Sequence, residues 1–388
     1  MDKPVVLLVA GSADYGSGES LILDYLGNLK NKSYIPILIF PGRGPLEVSA
    51  REMGVETIVI PGQEYLTELR QLWRQPVAWV YNFFSFIRLS KVIRDRRVRL
   101  VVSLSFINWT GALAARQEGI PHIWMIREIL SRKESRLNFF WGKWLASRLA
   151  NDLSVKILLE SKNAAELFSR KRTGQKAEVL PPAIDLNRFW SKKKMDQAEL
   201  TDPKKGVAIF NNQANPSRIS KVIQAVLLAY ENPEKAKLFI FFPGLKKKTS
   251  ERLKIKLAEE VPEAGSVLEF PDLDSLPFLQ KRFLAAILIP GFDPLSRLVL
   301  ENGLAGIPVV IESGPAAELI LQGKTGFVIN RGNEDELTSI LAKLLESETF
   351  RASIGSSAQE IFSKNYGLQD WERKFTGFLE EILFFSQS

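Results

Sequence analysis

The chain alternates uninterrupted apolar runs with segments whose apolar residues recur at helical spacing. The run "PVVLLVAG" at 4–11 predicts a strand, and "ESLILDYLGNLKNK" after it predicts a helix. Apolar runs without polar alternation are typical of strands that are buried on both faces, as in parallel sheets covered by helices. The alternation therefore predicts a doubly wound, parallel α/β architecture.

This pattern stops once and then restarts. A polar, lysine-rich stretch with a proline, "SKKKMDQAELTDPKKG", interrupts it, and 388 residues are too many for one compact core. We expect a first domain at 1–195, a linker at 196–205, a second domain at 206–365 and a C-terminal helix at 366–388 that packs back towards the first domain. Ligands of such sheets bind at the carboxyl ends of the strands, so we expect the site in a cleft between the domains.

Composition argues against several classes of protein. The chain has no cysteine and a single histidine, which excludes disulfides and thiolate metal sites and argues against a Ser-His-Asp relay. His122 lies in an apolar run, which favours a core histidine over a proton shuttle. No window is apolar for long enough to span a bilayer, and the N-terminus lacks a signal-peptide core, so we expect a cytoplasmic protein.

The charge of the chain points to an anionic partner. The formal net charge is +8 and the pI is about 9.4. A nucleic acid, a phosphorylated substrate and an acidic lipid surface each fit this charge, and a solvated basic surface is the plainer alternative. No nucleic-acid motif is present, so a nucleic-acid partner is not expected.

Two loops are candidate binding sites for an anion. In "GSADYGSGES" at 11–20, Gly16, Ser17 and Gly18 follow the first strand and open a helix, where backbone amides can approach a phosphate or a sugar hydroxyl. The spacing matches neither a dinucleotide fingerprint nor a P-loop, and a flexible strand–helix turn is the alternative.

The second loop lies in "GFDPLSRLVLENGLAGIPVV" at 291–310. A strand, a turn and a helix set the amides of Leu295, Ser296 and Arg297 at a helix N-terminus, where they can hold a phosphate. Glu301 follows Arg297 by one helical turn on the same face. The alternative is an Asp-Pro turn followed by an Arg297–Glu301 ion pair.

The segment at 293–329 resembles the nucleotide-sugar site of retaining glycosyltransferase family 4. That family has the pattern E-P-F-G-x-x-x-L-E-A-x-A-x-G-x-P-V-V, then G-G-x-x-E and G-x-T-G-x-L-V. The matching positions are Glu301, Gly306, Pro308, Gly314, Glu318, Gly323, Thr325 and Gly326. "YGSGESLILDYL", "WTGALAARQEGIPHIWMIREI" and "LPPAIDLNRF" resemble further motifs in the family's order, so the likeness covers nearly the whole chain.

The resemblance implies a GT-B fold, in which two Rossmann-like domains face a central cleft. The N-terminal domain would be the acceptor side, and the C-terminal domain would bind a nucleoside diphosphate sugar. Glu301 would bind the ribose and Asp293 the sugar, and Asp293, Arg127 and Arg218 would be the catalytic residues. Gln213 or Asn212 stands where the family has arginine, and Arg218 aligns with its lysine. Asp293 is shorter than the usual glutamate. The loss of the arginine charge weakens the diphosphate contact unless Arg297 or Arg127 replaces it.

The acceptor side of the resemblance includes Asn108, Arg127 and Glu128. Arg127 follows an apolar strand, where it can hold a donor phosphate or an anionic acceptor. Its alternative is an ion pair with Glu128 or a surface charge. The family needs neither metal nor cofactor, because amides, a helix dipole and basic side chains neutralise the leaving diphosphate.

Aromatic and basic residues mix over 69–99 and again over 135–150. Such segments can lie in a bilayer interface with lysine and arginine at anionic headgroups, on the inner face of the membrane. The alternative is helix packing with a solvated basic face.

The sequence thus predicts a retaining, metal-independent glycosyltransferase. It would move a sugar from a nucleoside diphosphate to a hydroxyl of a lipid-linked or polysaccharide acceptor. A catalytically degenerate GT-B protein that acts as a binding or scaffolding subunit is the alternative. A nucleotide-sugar epimerase would need acid/base carboxylates or histidines that the sequence does not reveal.

Overall fold

The structure is a computed structural model of the chain. It describes residues 3–13, 19–26, 33–61, 75–106, 109–127, 142–162, 177–187, 189, 205–212, 215–243, 245, 247–265, 267–271, 275–290 and 295–385. The chain divides into two compact units. The N-terminal unit comprises Met1–Pro182 and Leu368–Ser388, and the C-terminal unit comprises Ala183–Gly367.

Each unit is built on a parallel sheet. In the N-terminal unit the strands are β1 Val5–Val9, β2 Ile35–Phe40, β3 Glu56–Val59, β4 Val98–Ser103, β5 His122–Ile126, β6 Lys156–Leu159 and β7 Ala177–Val179. In the C-terminal unit they are β8 Gly206–Asn211, β9 Leu238–Phe241, β10 Leu268–Glu269, β11 Phe283–Ile289, β12 Val309–Glu312 and β13 Gly326–Ile329. The orders are β3-β2-β1-β4-β5-β6-β7 and β10-β9-β8-β11-β12-β13, so both units have the doubly wound arrangement that was predicted.

Helices connect these strands. They are α1 Glu19–Leu26, α2 Pro45–Glu52, α3 Gln75–Asp95, α4 Thr110–Gln117, α5 Gly142–Leu153, α6 Pro216–Ala229, α7 Lys247–Glu260, the single turn α8 Leu276–Leu279, α9 Ser296–Leu304, α10 Glu334–Glu346, α11 Glu348–Asn365 and α12 Leu368–Glu380. Short 3₁₀ segments lie at Pro233–Lys235, Pro262–Ala264, Gln280–Arg282 and Pro315–Leu319, and a π-helical turn lies at Glu381–Phe385. Within the described part of the chain, no helix combines the length and apolarity that crossing a bilayer requires.

The apolar runs form strands because both faces of each sheet are covered. Along β8, Val207 and Ile209 belong to one buried cluster, whereas Ala208 and Phe210 belong to another. Successive side chains of a strand point to opposite faces, so both faces of this strand are covered by apolar side chains. This burial explains why the run has no polar alternation.

The boundaries between the units differ from the sequence-based ones. The predicted boundary at 195 falls at Pro182 instead, because the Ile184 amide donates a hydrogen bond to Tyr366 O at 2.9 Å and the Ile184 side chain packs in the core of the C-terminal unit. Residues 196–204 of the predicted linker lie outside the described residues. The terminal helix begins at Leu368 and belongs to the N-terminal unit.

Helix α12 completes the N-terminal unit. Its Trp371 and Phe375 rings lie 5.4 and 5.1 Å from the ring of Tyr25 on α1. The Tyr25 hydroxyl lies 3.0 Å from Thr376 Oγ1. Trp371 and Phe375 are buried, so the C-terminal segment supplies part of the core of a unit that begins at the other end of the chain.

Candidate functional site

The order of the strands sets the candidate site at one edge of each sheet. In the C-terminal unit the order reverses between β8 and β11, and ligands of doubly wound sheets bind outside the carboxyl ends of such strands. Helix α6, which carries Arg218, follows β8, and helix α9, which begins at Ser296, follows β11. Two of the predicted donor-binding segments therefore flank the point at which the strand order reverses, which is the switch point of the sheet.

Some predicted site residues lie outside the described residues. These are Gly16, Ser17, Gly18, Asn108, Glu128, Gln213 and Asp293. Their roles remain predictions. The equivalent switch point of the N-terminal unit lies between β1 and β4, and the loop with Gly16 follows the first of these strands, whereas Asn108 follows the second.

The start of helix α9 has an unusual backbone. Leu295 is the N-cap residue and adopts the left-handed conformation, with φ 61° and ψ 23°. This conformation costs a residue with a side chain about 1 kcal/mol, and an apolar side chain cannot cap a helix. Leu295 and Ser296 are both buried. The chain accepts this strain where it turns from β11 into α9, and such strain is concentrated at functional sites.

Arg297 and Glu301 form the ion pair that the sequence left as one alternative. Arg297 Nε donates to Glu301 Oε1 at 2.8 Å, and both side chains are about four-fifths buried, with 22% and 19% of their surface exposed. The pair lies in the first turns of α9, on the segment that follows the switch point. It fixes the orientation of a carboxylate and a guanidinium side by side.

Arg218 lies in a cluster of charges within the C-terminal unit. Its Nε donates to Glu312 Oε1 at 2.7 Å, its Nη2 donates to the same oxygen, and its Nη1 donates to Glu334. Arg331 Nε lies 3.4 Å from Glu312 Oε2, and Arg331 Nη2 donates to Pro290 O at 2.9 Å. Glu312 is 1% exposed. This carboxylate thus links the start of α6 to Arg331, which in turn contacts the residue that follows β11.

The sequence analysis missed Glu312, Arg331 and Glu334. A signal for the first two was present, because each is a charged residue at, or just beyond, the carboxyl end of an apolar strand: Glu312 ends β12, and Arg331 follows β13. In parallel sheets such positions lie at the carboxyl ends of the strands, which is the edge where ligands bind. Among the described residues, no group of three or more His, Asp or Glu side chains is arranged to hold a metal ion.

In the N-terminal unit, Arg127 follows β5, and its Nη1 lies 3.6 Å from Glu160 Oε1, just beyond β6. Each side chain is 11% exposed. They line a small pocket together with apolar side chains that include Met125 and Trp371. The carboxylate near Arg127 is therefore Glu160, whereas the alternative partner Glu128 lies outside the described residues. A buried cation at the end of a strand can bind an anion.

Several positions of the resemblance shape the backbone. Gly306, Gly323 and Gly326 have φ values of 77°, 69° and 156°, which residues with side chains rarely adopt. Gly306 ends helix α9 in a Schellman motif, with bonds from its amide to Gly303 O and from Ile307 N to Asn302 O. Thr325 is fully buried, and its Oγ1 accepts from Leu321 N at 2.8 Å.

His122 is the core histidine that the sequence favoured. Its Nδ1 lies 2.9 Å from Ser154 Oγ and its Nε2 lies 2.9 Å from Ser103 Oγ. It begins β5, at the end of the strand opposite to the ligand edge. Burial lowers the pKa of His122 to about 3, so the imidazole is neutral in the folded protein.

Comparison with known proteins agrees with the resemblance at the level of the fold. Residues 191–361 match the family model of glycosyl transferases group 1. Curated protein sequences give no match. Anabaena HepE in complex with UDP-glucose has a TM-score of 0.76 at 17% identity, over 97% of this chain and 99% of HepE.

Two further solved structures are similar. A glycosyltransferase from Rickettsia africae has a TM-score of 0.74 at 15% identity, over 99% of this chain and 100% of its own. Sucrose-phosphate synthase from Thermosynechococcus elongatus has a TM-score of 0.76 at 10% identity, with the same coverage. The chain therefore has a GT-B fold, built from two Rossmann-like parallel-sheet units, and its residues 191–361 carry the pattern of glycosyl transferases group 1.

Proposed function

We propose that the protein is a retaining glycosyltransferase that moves a sugar from a nucleoside diphosphate sugar to a hydroxyl of a lipid-linked or polysaccharide acceptor. One observation carries this proposal. Helix α9 begins with Leu295 in a strained conformation beside the switch point of a sheet whose segment matches glycosyl transferases group 1. The UDP-glucose in HepE, a protein of the same fold, supports the donor class.

The diphosphate is the part of such a donor that needs most stabilisation. A helix N-terminus carries a partial positive charge, and α9 offers one where β11 ends. In our proposal the amides of Leu295 and Ser296 bind the diphosphate. Arg218 assists them, because its three bonds to Glu312 and Glu334 leave further N–H groups on the guanidinium.

The carboxylates have separate roles. Glu301 accepts hydrogen bonds from the ribose hydroxyls, and its ion pair with Arg297 keeps its carboxylate oriented. Asp293 contacts the sugar, and Gln213 contributes a neutral polar contact near the phosphates. In our proposal Gly16, Ser17 and Gly18 contact the donor. Asn108, Arg127 and Glu128 lie on the acceptor side.

The reaction requires no nucleophile from the protein. The acceptor hydroxyl oxygen forms a bond to the anomeric carbon while the bond from that carbon to the diphosphate oxygen breaks. The diphosphate takes the electron pair of the broken bond, and the hydroxyl proton passes to a phosphate oxygen. The new bond forms on the face that the leaving group vacates, so the configuration is retained. Catalysis then rests on positioning and charge stabilisation.

The test is an assay of nucleoside diphosphate release from UDP-, GDP- and ADP-sugars, with and without a chelator. We expect turnover of one nucleotide class and no effect of the chelator. Binding of a donor without turnover would support the alternative of a scaffolding subunit. Absence of both binding and turnover with all donors would refute the proposed function.

A second test concerns Glu301. Glu301→Gln should weaken UDP binding by about 10- to 100-fold, because hydrogen bonds to a charged acceptor are lost. Binding of inorganic pyrophosphate, which has no ribose, should change much less. Glu360→Gln, at an exposed position of α11, is the matched control. Equal losses for UDP and pyrophosphate would contradict the ribose role.

A further inference from the structure

Helix α3 of the N-terminal unit exposes an apolar face. Val80, Tyr81, Phe83, Phe84 and Ile87 are between 46% and 59% exposed. The remaining exposed large apolar residues of the described chain are dispersed over many elements, whereas these lie within two turns of one helix. Contiguous exposed apolar surface marks a binding surface more often than isolated residues do.

This part of α3 exposes aromatic side chains, while it buries polar side chains beside the apolar Leu89. Asn82 and Ser85 are buried, with 0% and 3% exposure, and so is Ser90. Phe83 and Phe84 point outward, with ring centroids 6.0 Å apart. A helix at the surface of a globular protein usually buries its apolar side and exposes its polar side. The outer face of α3 is therefore adapted to an apolar environment.

The same outer face becomes basic towards the end of the helix. Arg88 and Lys91 are exposed, and they follow Phe84 and Ile87 by four positions, which sets them on the same side of the helix. Further exposed basic residues follow at Arg94, Arg96, Arg97 and Arg99. Glu118 and Glu56 pair with Arg94 and Arg96 at 2.5 Å, and Asp95 is exposed, so the patch keeps a net positive charge.

The arrangement of the apolar and basic parts fits a bilayer interface. An interfacial helix lies in the plane of the bilayer surface and buries one face by about 5–10 Å. With the outer face of α3 against the bilayer, the apolar side chains enter the acyl boundary, and the long Arg88 and Lys91 side chains extend to the headgroups, where cations are attracted to anionic lipids.

We propose that the outer face of α3, from Val80 to Lys91, is a docking surface for an anionic lipid bilayer. The inference does not depend on glycosyl transfer, because it rests on the exposure and charge of this helix alone. The protein would bind the membrane surface through side chains of α3 that insert from one side.

The test is co-sedimentation of the full chain with phosphatidylcholine vesicles, with and without phosphatidylglycerol. We expect binding to the anionic vesicles and little binding to the neutral ones. The variant Arg88→Gln/Lys91→Gln should lower the partition coefficient about 30-fold, from the electrostatic contribution of two cations. Phe83→Ser/Phe84→Ser should lower it about tenfold or more, because the apolar contact is lost.

The control changes exposed apolar residues elsewhere. Leu228→Ser/Ile255→Ser replaces residues that are 77% and 61% exposed in the C-terminal unit, and it should bind vesicles as the wild type does. Wild-type protein that stays in the supernatant with both vesicles would overturn the proposal. A Phe83→Ser/Phe84→Ser variant that binds vesicles as the wild type does would also overturn it. If this variant converts a dimer to a monomer without affecting lipid binding, the face contacts a second copy of the chain and the proposal is wrong.

Discussion

Removal of the Glu312 charge should destabilise the C-terminal unit strongly. Glu312 is 1% exposed and accepts from Arg218 at 2.7 Å, and Arg331 lies 3.4 Å from its other oxygen. Glu312→Gln keeps the shape of the side chain and one acceptor oxygen, but it removes the negative charge that the Arg218 and Arg331 guanidinium groups share. Removal of one partner from a buried ion pair typically costs about 3–5 kcal/mol.

The structure places the expected cost at the lower end of this range. Arg218 keeps Glu334 as a partner, and the Arg331 side chain is 36% exposed, so water can solvate part of its charge. We therefore expect a loss of about 3 kcal/mol in the free energy of unfolding. For a unit of this size, such a loss lowers the Tm by about 6 to 12 °C.

The assay is thermal unfolding followed by circular dichroism, with Glu360→Gln as the surface control, which should stay within about 0.5 kcal/mol of the wild type. The variant Arg331→Gln and the double variant complete a double-mutant cycle, in which the double variant should lose less than the sum of the single losses. If Glu312→Gln has the same Tm as the control, or if the losses in the cycle are additive, the charge cluster does not stabilise the unit.

Three further predictions concern stability. The folded pKa of His122 lies near 3, so below about pH 6.5 the unfolded chain takes up a proton that the native protein does not, and the free energy of unfolding should fall by about 1.4 kcal/mol per pH unit on acidification. The NMR signal of the single imidazole should not titrate between about pH 8 and 5, and a midpoint near 6.5 would contradict this. Gly355→Ala should cost about 3 kcal/mol, because its Cβ would overlap the carbonyl oxygen of Gly306, whereas Gly306→Ala, with φ 77° and open space, should cost about 1 kcal/mol; equal losses in urea unfolding would refute this order. Trp371→Ala should cost about 3–5 kcal/mol in the N-terminal unit, because its buried ring packs on Tyr25, and an unchanged urea midpoint would be inconsistent with that packing.

The sequence was sufficient for the framework of both sheets. The central strands β1, β4, β8 and β11 are apolar runs. A strand that is buried on both faces needs apolar side chains at successive positions, so its composition alone indicates its burial. Strand β7 was not predicted, because its three residues are specified by pairing with β6 more than by their own side chains. The stretch "PAAELILQG" after Gly314 has apolar residues at helical spacing, but it forms only a 3₁₀ segment at Pro315–Leu319.

Long-range contacts were the part of the site that sequence could not predict. The helix start at Ser296 and the Arg297–Glu301 pair are local, so spacing alone was enough to suggest both. Arg218 and Glu312 are 94 positions apart, and only the order of the strands brings them together.

The side of α3 that faces the core also could not be predicted from the sequence. Its mixture of aromatic and basic residues was visible in the sequence, but both apolar and polar residues recur along it at helical spacing. Which side faces inward depends on packing against α4 and β4, which the periodicity of one helix does not specify.

The chain leaves the N-terminal unit at Pro182 and returns to it at Leu368, so one unit is inserted within the other. On the ribosome, roughly 185 residues must be made before the first unit can close, which takes about 10 to 40 s at ordinary rates of translation. During that interval the Tyr25 ring lacks its contacts with Trp371 and Phe375. Because the chain is made from its N-terminus, the inserted C-terminal unit can fold before the N-terminal unit is complete. A nascent chain that is released early would carry a complete C-terminal unit and an incomplete N-terminal unit.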